Sequence, residues 1–126
     1  MTKIEDAMDA ALNFATGVHV MEWGDRVELW GHLVVVHGLA NHPVVWSPAD
    51  TLTDAFQVDK PEWEWRVDEL GDWYGAKPGW RLRLGIWDDD DRLTDITIPL
   101  DPDNKTLAYC RGRCIAALKA CGIEEV

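Results

Sequence analysis

The chain has 126 residues, of which 47% are hydrophobic and 28% charged, and its formal net charge at pH 7 is -11. This length is typical of one domain around one hydrophobic core, so we predict that residues 1–126 form a single domain. A strongly negative field repels nucleic acid and anionic lipid, which argues against direct binding to either.

The first helix is predicted from the N-terminal residues. Thr2 is a suitable cap, Glu5 follows three residues later as in a capping box, and apolar residues recur at helical spacing as far as Ala15. Gly17 is expected to end this helix. Because the sequence becomes acidic at Glu5 instead of entering an apolar signal segment, we expect a cytoplasmic protein, in the host cytoplasm if a phage encodes it.

A β-hairpin is predicted next, with Gly24-Asp25 as its two-residue turn. In that register His19 and His32 lie on the same face of the hairpin. The apolar run from Leu33 to Val36 does not alternate, which predicts a central strand that is covered on both faces. It is also too short to span a membrane.

A short strand at residues 44–46 and a short helix follow. Ser47 is expected to cap this helix, which extends to about Phe56. Three further strands are predicted from alternation, over residues 62–68, 80–87 and 93–100, and a last helix begins near Asp101-Pro102 and ends at Gly122.

These elements have the order α-β-β-β-α-β-β-β-α. We therefore predict an α+β fold with a mainly antiparallel sheet of about five or six strands, together with N-terminal, short central and C-terminal helices.

Metal and catalytic sites are weakly indicated. Cys110, Cys114 and Cys121 share one face of the last helix, but their spacing is not that of a zinc site, and we expect buried, reduced thiols. The turn at residues 88–91 consists of four aspartates, but it lacks the glycine and distal glutamate of a calcium loop. Known catalytic motifs are absent, so we expect no enzyme activity, no cofactor and no metal.

The densest acidic tract in the chain lies within residues 59–72, and residues 1–72 carry 14 acidic and 4 basic side chains. Alternate carboxylates along a strand are spaced by about 6.6 Å, which is comparable to the spacing of nucleic-acid phosphates. Eight tryptophans also exceed what one small core needs, so some are expected at an interface. The predicted partner-binding residues are Asp59, Glu62, Glu64, Asp68, Glu69, Asp72, Trp73 and Tyr74.

In length and acidity the chain resembles small phage-encoded inhibitors of bacterial defence, which include anti-CRISPR proteins that mimic nucleic acid. The resemblance assigns no residue. It implies a non-enzymatic inhibitor, monomeric or homodimeric, that binds a partner protein with a basic nucleic-acid-binding surface. Two alternatives are an immunity protein or small acidic secretion chaperone, and a small-ligand enzyme or binding domain that uses the face of His19 and His32.

Overall fold

The computed structural model describes residues 1–70, 79–87 and 93–126. It confirms an α+β fold with antiparallel strands and with helices at the N-terminus, the centre and the C-terminus. In these described residues six strands form two separate three-stranded sheets, ordered β1-β2-β3 and β4-β5-β6. The helices are α1 (Asp9–Ala15), α2 (Leu52–Ala55) and α3 (Lys105–Ala120), and the strands are β1 (Val27–Trp30), β2 (Leu33–Val36), β3 (Val44–Val45), β4 (Trp63–Leu70), β5 (Gly79–Trp87) and β6 (Leu93–Leu100).

The predicted end of the first helix at Gly17 is wrong. The chain forms a 3-10 turn at Ile4–Asp6, then α1, and α1 continues without a break as a π-helical turn at Thr16–Val20. A β-carbon on Gly17 would lie 3.1 Å from Val27 Cγ2. Glycine at this position therefore allows a strand to pack closely against the helix instead of ending the helix.

The predicted hairpin around Gly24-Asp25 is also wrong, because residues Gly24–Arg26 form a 3-10 turn. The hairpin lies further along the chain, where β1 pairs with β2 and Trp30 lies opposite Leu33. Gly31 supplies the positive φ of +66° that this tight turn requires. The sequence predicts one continuous strand from the turn at Gly24-Asp25 to Val36, whereas the chain forms two strands, β1 and β2.

The prediction of a central strand at residues 33–36 is confirmed for β2, but coverage on both faces is confirmed only for residues 34–36, because Leu33 is exposed. The strand lies between β1 and β3, and Val34, Val35 and Val36 are all buried. Helix α2 is a single turn that starts at Leu52, later than the cap predicted at Ser47. The Ser47 N–H instead donates to Asp54 Oδ2.

The second sheet matches the predicted strands closely, and its register is continuous over eight residue pairs on each side of β5. Its inner face packs against α3, where Gly112 allows Leu82, Ile98 and Leu100 to approach the helix. The remaining fully buried side chains near α3 include Leu84, Cys110, Cys114 and Leu118.

Helix α3 begins at Lys105, later than predicted, and ends as predicted. The Ile123 N–H donates to Leu118 O at 2.9 Å and the Gly122 N–H donates to Lys119 O at 3.0 Å, while Gly122 has a φ of +79°. This is the Schellman arrangement.

Candidate functional site

The predicted acidic surface lies on β4, where alternation and cross-strand register decide which side chains meet. Trp63, Trp65 and Val67 point toward α3, and the alternate residues point to the other face of the sheet. We call that second face the outer face. Within the described residues it carries Glu64, Arg66 and Asp68 from β4, Arg81, Arg83, Gly85 and Trp87 from β5, and Leu93, Asp95, Thr97 and Pro99 from β6.

Arginines neutralise the centre of the outer face. Arg83 contacts Asp68 at 3.2 Å and Asp95 at 2.8 Å, and Arg81 lies 3.7 Å from the same Asp68 oxygen. The carboxylates of Asp95 and Asp68 raise the pKa of Arg83. The centre of the predicted tract is therefore a mixed-charge surface, and it is not a continuous row of negative charge.

Glu64 lies beside these pairs. Arg66 Nη2 lies 2.9 Å from Glu64 Oε1, and Trp87 Nε1 donates to Glu64 Oε2 at 3.3 Å. Arg66, and to a smaller extent Trp87, holds the pKa of Glu64 below its usual value. Trp87 itself is 48% exposed, so an indole lies at the open surface next to this carboxylate.

The remaining predicted residues separate into three groups. Asp59 accepts a hydrogen bond from Trp65 Nε1 at 2.9 Å, and Glu62 and Glu69 are exposed with no ion pair to a described residue. The other predicted residues, Asp72, Trp73 and Tyr74, lie outside the described residues.

Carboxylates from distant parts of the chain influence Cys121 at the C-terminal end of α3. Burial raises the pKa of the Cys121 thiol, and the nearby charges of Glu22 and Glu62 raise it further, while Lys60 lowers it. Asp59 adjoins Lys60 and accepts a hydrogen bond from its backbone N–H. The C-terminal end of a helix carries partial negative charge, which adds to these carboxylates. We call Glu22, Asp59 and Glu62 the acidic end.

Sequence reasoning missed Glu22, which lies about 40 residues before Glu62. It has a φ of +57°, the only positive value for a non-glycine residue in the described chain. The sequence predicts a strand where the chain forms the π-helical turn before Glu22, and it therefore places Glu22 on a hairpin. The wrong hairpin thus hid the fact that Glu22 and Glu62 both act on Cys121.

The predicted face of His19 and His32 does not exist. His19 lies in the π-helical turn and His32 in the turn between β1 and β2, and both are exposed. A different histidine contacts a carboxylate: Glu28 Oε2 lies 2.9 Å from both His37 Nε2 and Trp30 Nε1. This cluster is open to solvent and lacks the enclosure that a small-ligand site needs.

The tryptophans have distinct positions. Trp46 is buried, with Trp23 packed at an edge-to-face angle and a centroid distance of 4.8 Å. Trp30 and Trp87 are exposed by 53% and 48%. The excess of aromatic residues therefore serves both the core and the surface. Half-buried indoles on the inner face of the second sheet complete the set in the described chain: Trp63, Trp65 and Trp80.

An apolar groove of about 410 Å³ lies where α2, α3 and the inner face of the second sheet meet. Lys105 Nζ lies over the Trp80 ring at its rim, 4.5 Å from the centroid. Sequence reasoning did not find the groove, because its walls come from three elements far apart in the chain. It is lined by Leu52, Phe56, Val67, Trp80, Leu100, Lys105, Thr106 and Tyr109.

The sequence raises two possible metal sites, the aspartate turn at residues 88–91 and the cysteines of the last helix. The turn at residues 88–91 lies outside the described residues. In residues 1–70, 79–87 and 93–126, no group of three or more His, Cys, Asp or Glu side chains is arranged to hold a metal ion.

Comparison with protein-family models, curated proteins and solved structures finds no match to this chain. In the part of the chain that the structure describes, no helix has the length and apolar character needed to cross a membrane.

Proposed function

We propose that this protein is a non-enzymatic inhibitor that docks through its acidic end on a basic, nucleic-acid-binding surface of a partner protein. The observation that carries the proposal is that Glu22, Asp59 and Glu62 are all exposed, and that the charges of Glu22 and Glu62 both raise the pKa of Cys121 at the end of α3. Lys60 is the cation whose charge opposes theirs there. Unpaired carboxylates at a surface attract a basic partner and speed its association.

The outer face of the second sheet adds contact area to this docking surface. Trp87 is half exposed and hydrogen-bonds to Glu64, which lies two residues after Glu62. Tryptophan is enriched in interface hot spots because it removes much surface from water at little cost in entropy. The arginine-paired centre of the face, at Asp68, contributes less net charge than the sequence predicts. The proposed contact region therefore keeps Asp59 and Glu62 from the predicted tract and adds Glu22 and Trp87.

Charge reversal with a matched control tests the proposal. The double variant Glu22→Lys and Glu62→Lys changes the acidic end, and Asp6→Lys with Asp103→Lys makes the same change of net charge at exposed carboxylates elsewhere. Each immobilised protein is exposed to nuclease-treated bacterial lysate, and bound proteins are eluted with duplex DNA. We expect the native protein and the control to retain a basic nucleic-acid-binding protein that DNA displaces, and the acidic-end variant to lose it.

Two outcomes would overturn the proposal. One is equal capture by the acidic-end variant and the control, which would mean that net charge alone is responsible. The other is a captured protein that duplex DNA does not displace. If a displaced protein is obtained, its binding to labelled DNA should fall in proportion to added inhibitor and reach zero near one equivalent.

A further inference from the structure

The two edges of the second sheet differ. β6 carries Pro99, which lacks a backbone N–H and so cannot donate to another strand. Strand edges are commonly blocked in this way against pairing with other chains. β4 contains no proline and its register with β5 is unbroken from Trp63 to Leu70, so it has no bulge. Among the described residues, β4 is therefore the open edge of the sheet.

Pro99 also indicates which backbone groups face that open edge. Proline in a paired strand is placed so that its missing N–H points away from the neighbour, and Pro99 lies opposite Arg81 of β5. Along two antiparallel strands, pairs of opposite residues that hydrogen-bond to each other through the backbone alternate with pairs that do not. The backbone hydrogen bonds on the β4 side of β5 are therefore made by Arg81, Arg83 and Gly85. Their partners on β4 are Asp68, Arg66 and Glu64.

The backbone N–H and C=O groups of the intervening residues of β4 then point away from β5, toward the open edge. These residues are Trp63, Trp65, Val67 and Glu69. An independent contact agrees with this assignment: the Trp63 N–H donates to Lys60 O at 3.0 Å, outside the sheet. Trp65 and Val67 make no backbone hydrogen bond across that edge to any residue in the described part of the chain. Val67 is also 45% exposed.

The side chains of β4 are self-complementary for antiparallel pairing. Next to Trp65, the outer face carries the opposite charges of Glu64 and Arg66, and the inner face carries the apolar Trp63 and Val67. If two copies pair with Trp65 opposite Trp65, Glu64 lies opposite Arg66 of the partner subunit, twice. Trp63 then lies opposite Val67 of the partner subunit, so opposite charges meet on the outer face and apolar side chains meet on the inner face.

We propose that β4 is a dimerisation strand, and that a second copy of this chain pairs with it, antiparallel and centred on Trp65. The two second sheets then form one six-stranded sheet. In this register the Trp65 N–H of each copy donates to the Trp65 C=O of the other, and the Val67 N–H donates to the C=O of the partner's Trp63.

Two single substitutions test this register. In Glu64→Arg, both residues 64 and 66 are basic, and in Arg66→Glu both are acidic, so each variant brings like charges together in its own dimer. A mixture of the two variants restores both opposite-charge pairs in a heterodimer. Both side chains are exposed, so the fold tolerates the changes, which far-UV circular dichroism checks.

Sedimentation equilibrium measures the dimer dissociation constant. We expect the native chain to dimerise, each variant to show a dissociation constant higher by about tenfold or more, and the mixture to form heterodimers with near-native affinity. Lys3→Glu, which makes the same charge change as Arg66→Glu away from β4, should leave the dimer intact. A monomeric native chain at all concentrations, a dimer that both variants retain, or a mixture that stays monomeric would each overturn the proposal.

Discussion

The Arg113 guanidinium lies over the Trp65 indole, 4.2 Å from the ring centroid, although Arg113 is only 4% exposed. Its Nε donates to Val58 O at 3.0 Å and its Nη1 to the Tyr109 hydroxyl at 3.0 Å. The buried cation is thus stabilised by carbonyl and π-electron density. It joins α3 to both β4 and the segment after α2.

Replacing Arg113 with Met should therefore destabilise the fold by about 2–3 kcal/mol, because it leaves the buried Val58 carbonyl without its donor and removes the stacking on Trp65. Urea unfolding followed by tryptophan fluorescence measures the change. Arg26→Met is the control: Arg26 is exposed and donates to His37 O, so its loss should cost less than about 1 kcal/mol. Equal losses in the two variants would contradict this assignment.

Gly17→Ala should cost about 1–3 kcal/mol, because the added carbon would lie 3.1 Å from Val27 Cγ2 and 3.4 Å from Trp46 Cζ3 in a buried contact. Gly79→Ala is a matched control, since a carbon added there meets nothing within 4 Å. Thermal unfolding should show a lower midpoint for the first variant alone. A native midpoint for Gly17→Ala would mean that the helix and β1 do not pack as described.

Burial raises the pKa of Asp50, and the adjacent Asp9 carboxylate raises it further. A carboxyl group whose pKa is raised on folding destabilises the fold at high pH, and this cost disappears below the unfolded value of about 3.9. Asp50→Asn should therefore be more stable than the native chain at pH 7, by less than about 1 kcal/mol because solvent screens the pair. Urea unfolding at pH 7 and about pH 3 checks this, and the difference should vanish at the lower pH. A destabilised variant at pH 7 would contradict the prediction.

The cysteines should react with iodoacetamide at very different rates. Burial raises the pKa of Cys114 to about 12 and also raises the pKa of Cys110, and both side chains are buried. Cys121 is half-buried at the end of α3. Because only an accessible thiolate reacts, mass spectrometry of the native protein should find Cys121 alkylated first. Unfolding in urea should expose all three, and early labelling of Cys114 would contradict its burial.

Local sequence patterns predict an element correctly where the residues of that element alone determine its structure. Alternation in β4, β5 and β6 reflects one face against a helix, and Gly122 at the end of α3 has the backbone conformation that only glycine adopts easily. The prediction of the first hairpin was wrong because tertiary packing outweighs the local preference of its residues. Val18 and Val20 favour strands, but the burial of Val20 and the close packing at Gly17 hold the segment in a helical turn.

The candidate site was only half predictable. The carboxylates of β4 are visible in the sequence, whereas the pairing of Asp68 with Arg81 and Arg83 depends on register, and the approach of Glu22 depends on tertiary packing. Charge counts along a chain cannot distinguish a paired carboxylate from an unpaired one, because the cation comes from another strand.

The division of the strands into two sheets affects how the protein opens. β1, β2 and β3 have only four, four and two residues, and β1 and β2 contact α1, whereas the longer strands β5 and β6 contact α3. The amide protons of the first sheet should therefore exchange with solvent through local opening. Those of buried residues in α3, such as Cys114 and Leu118, should exchange only when the whole chain unfolds. We therefore expect states in which the first sheet is open while β4 remains folded.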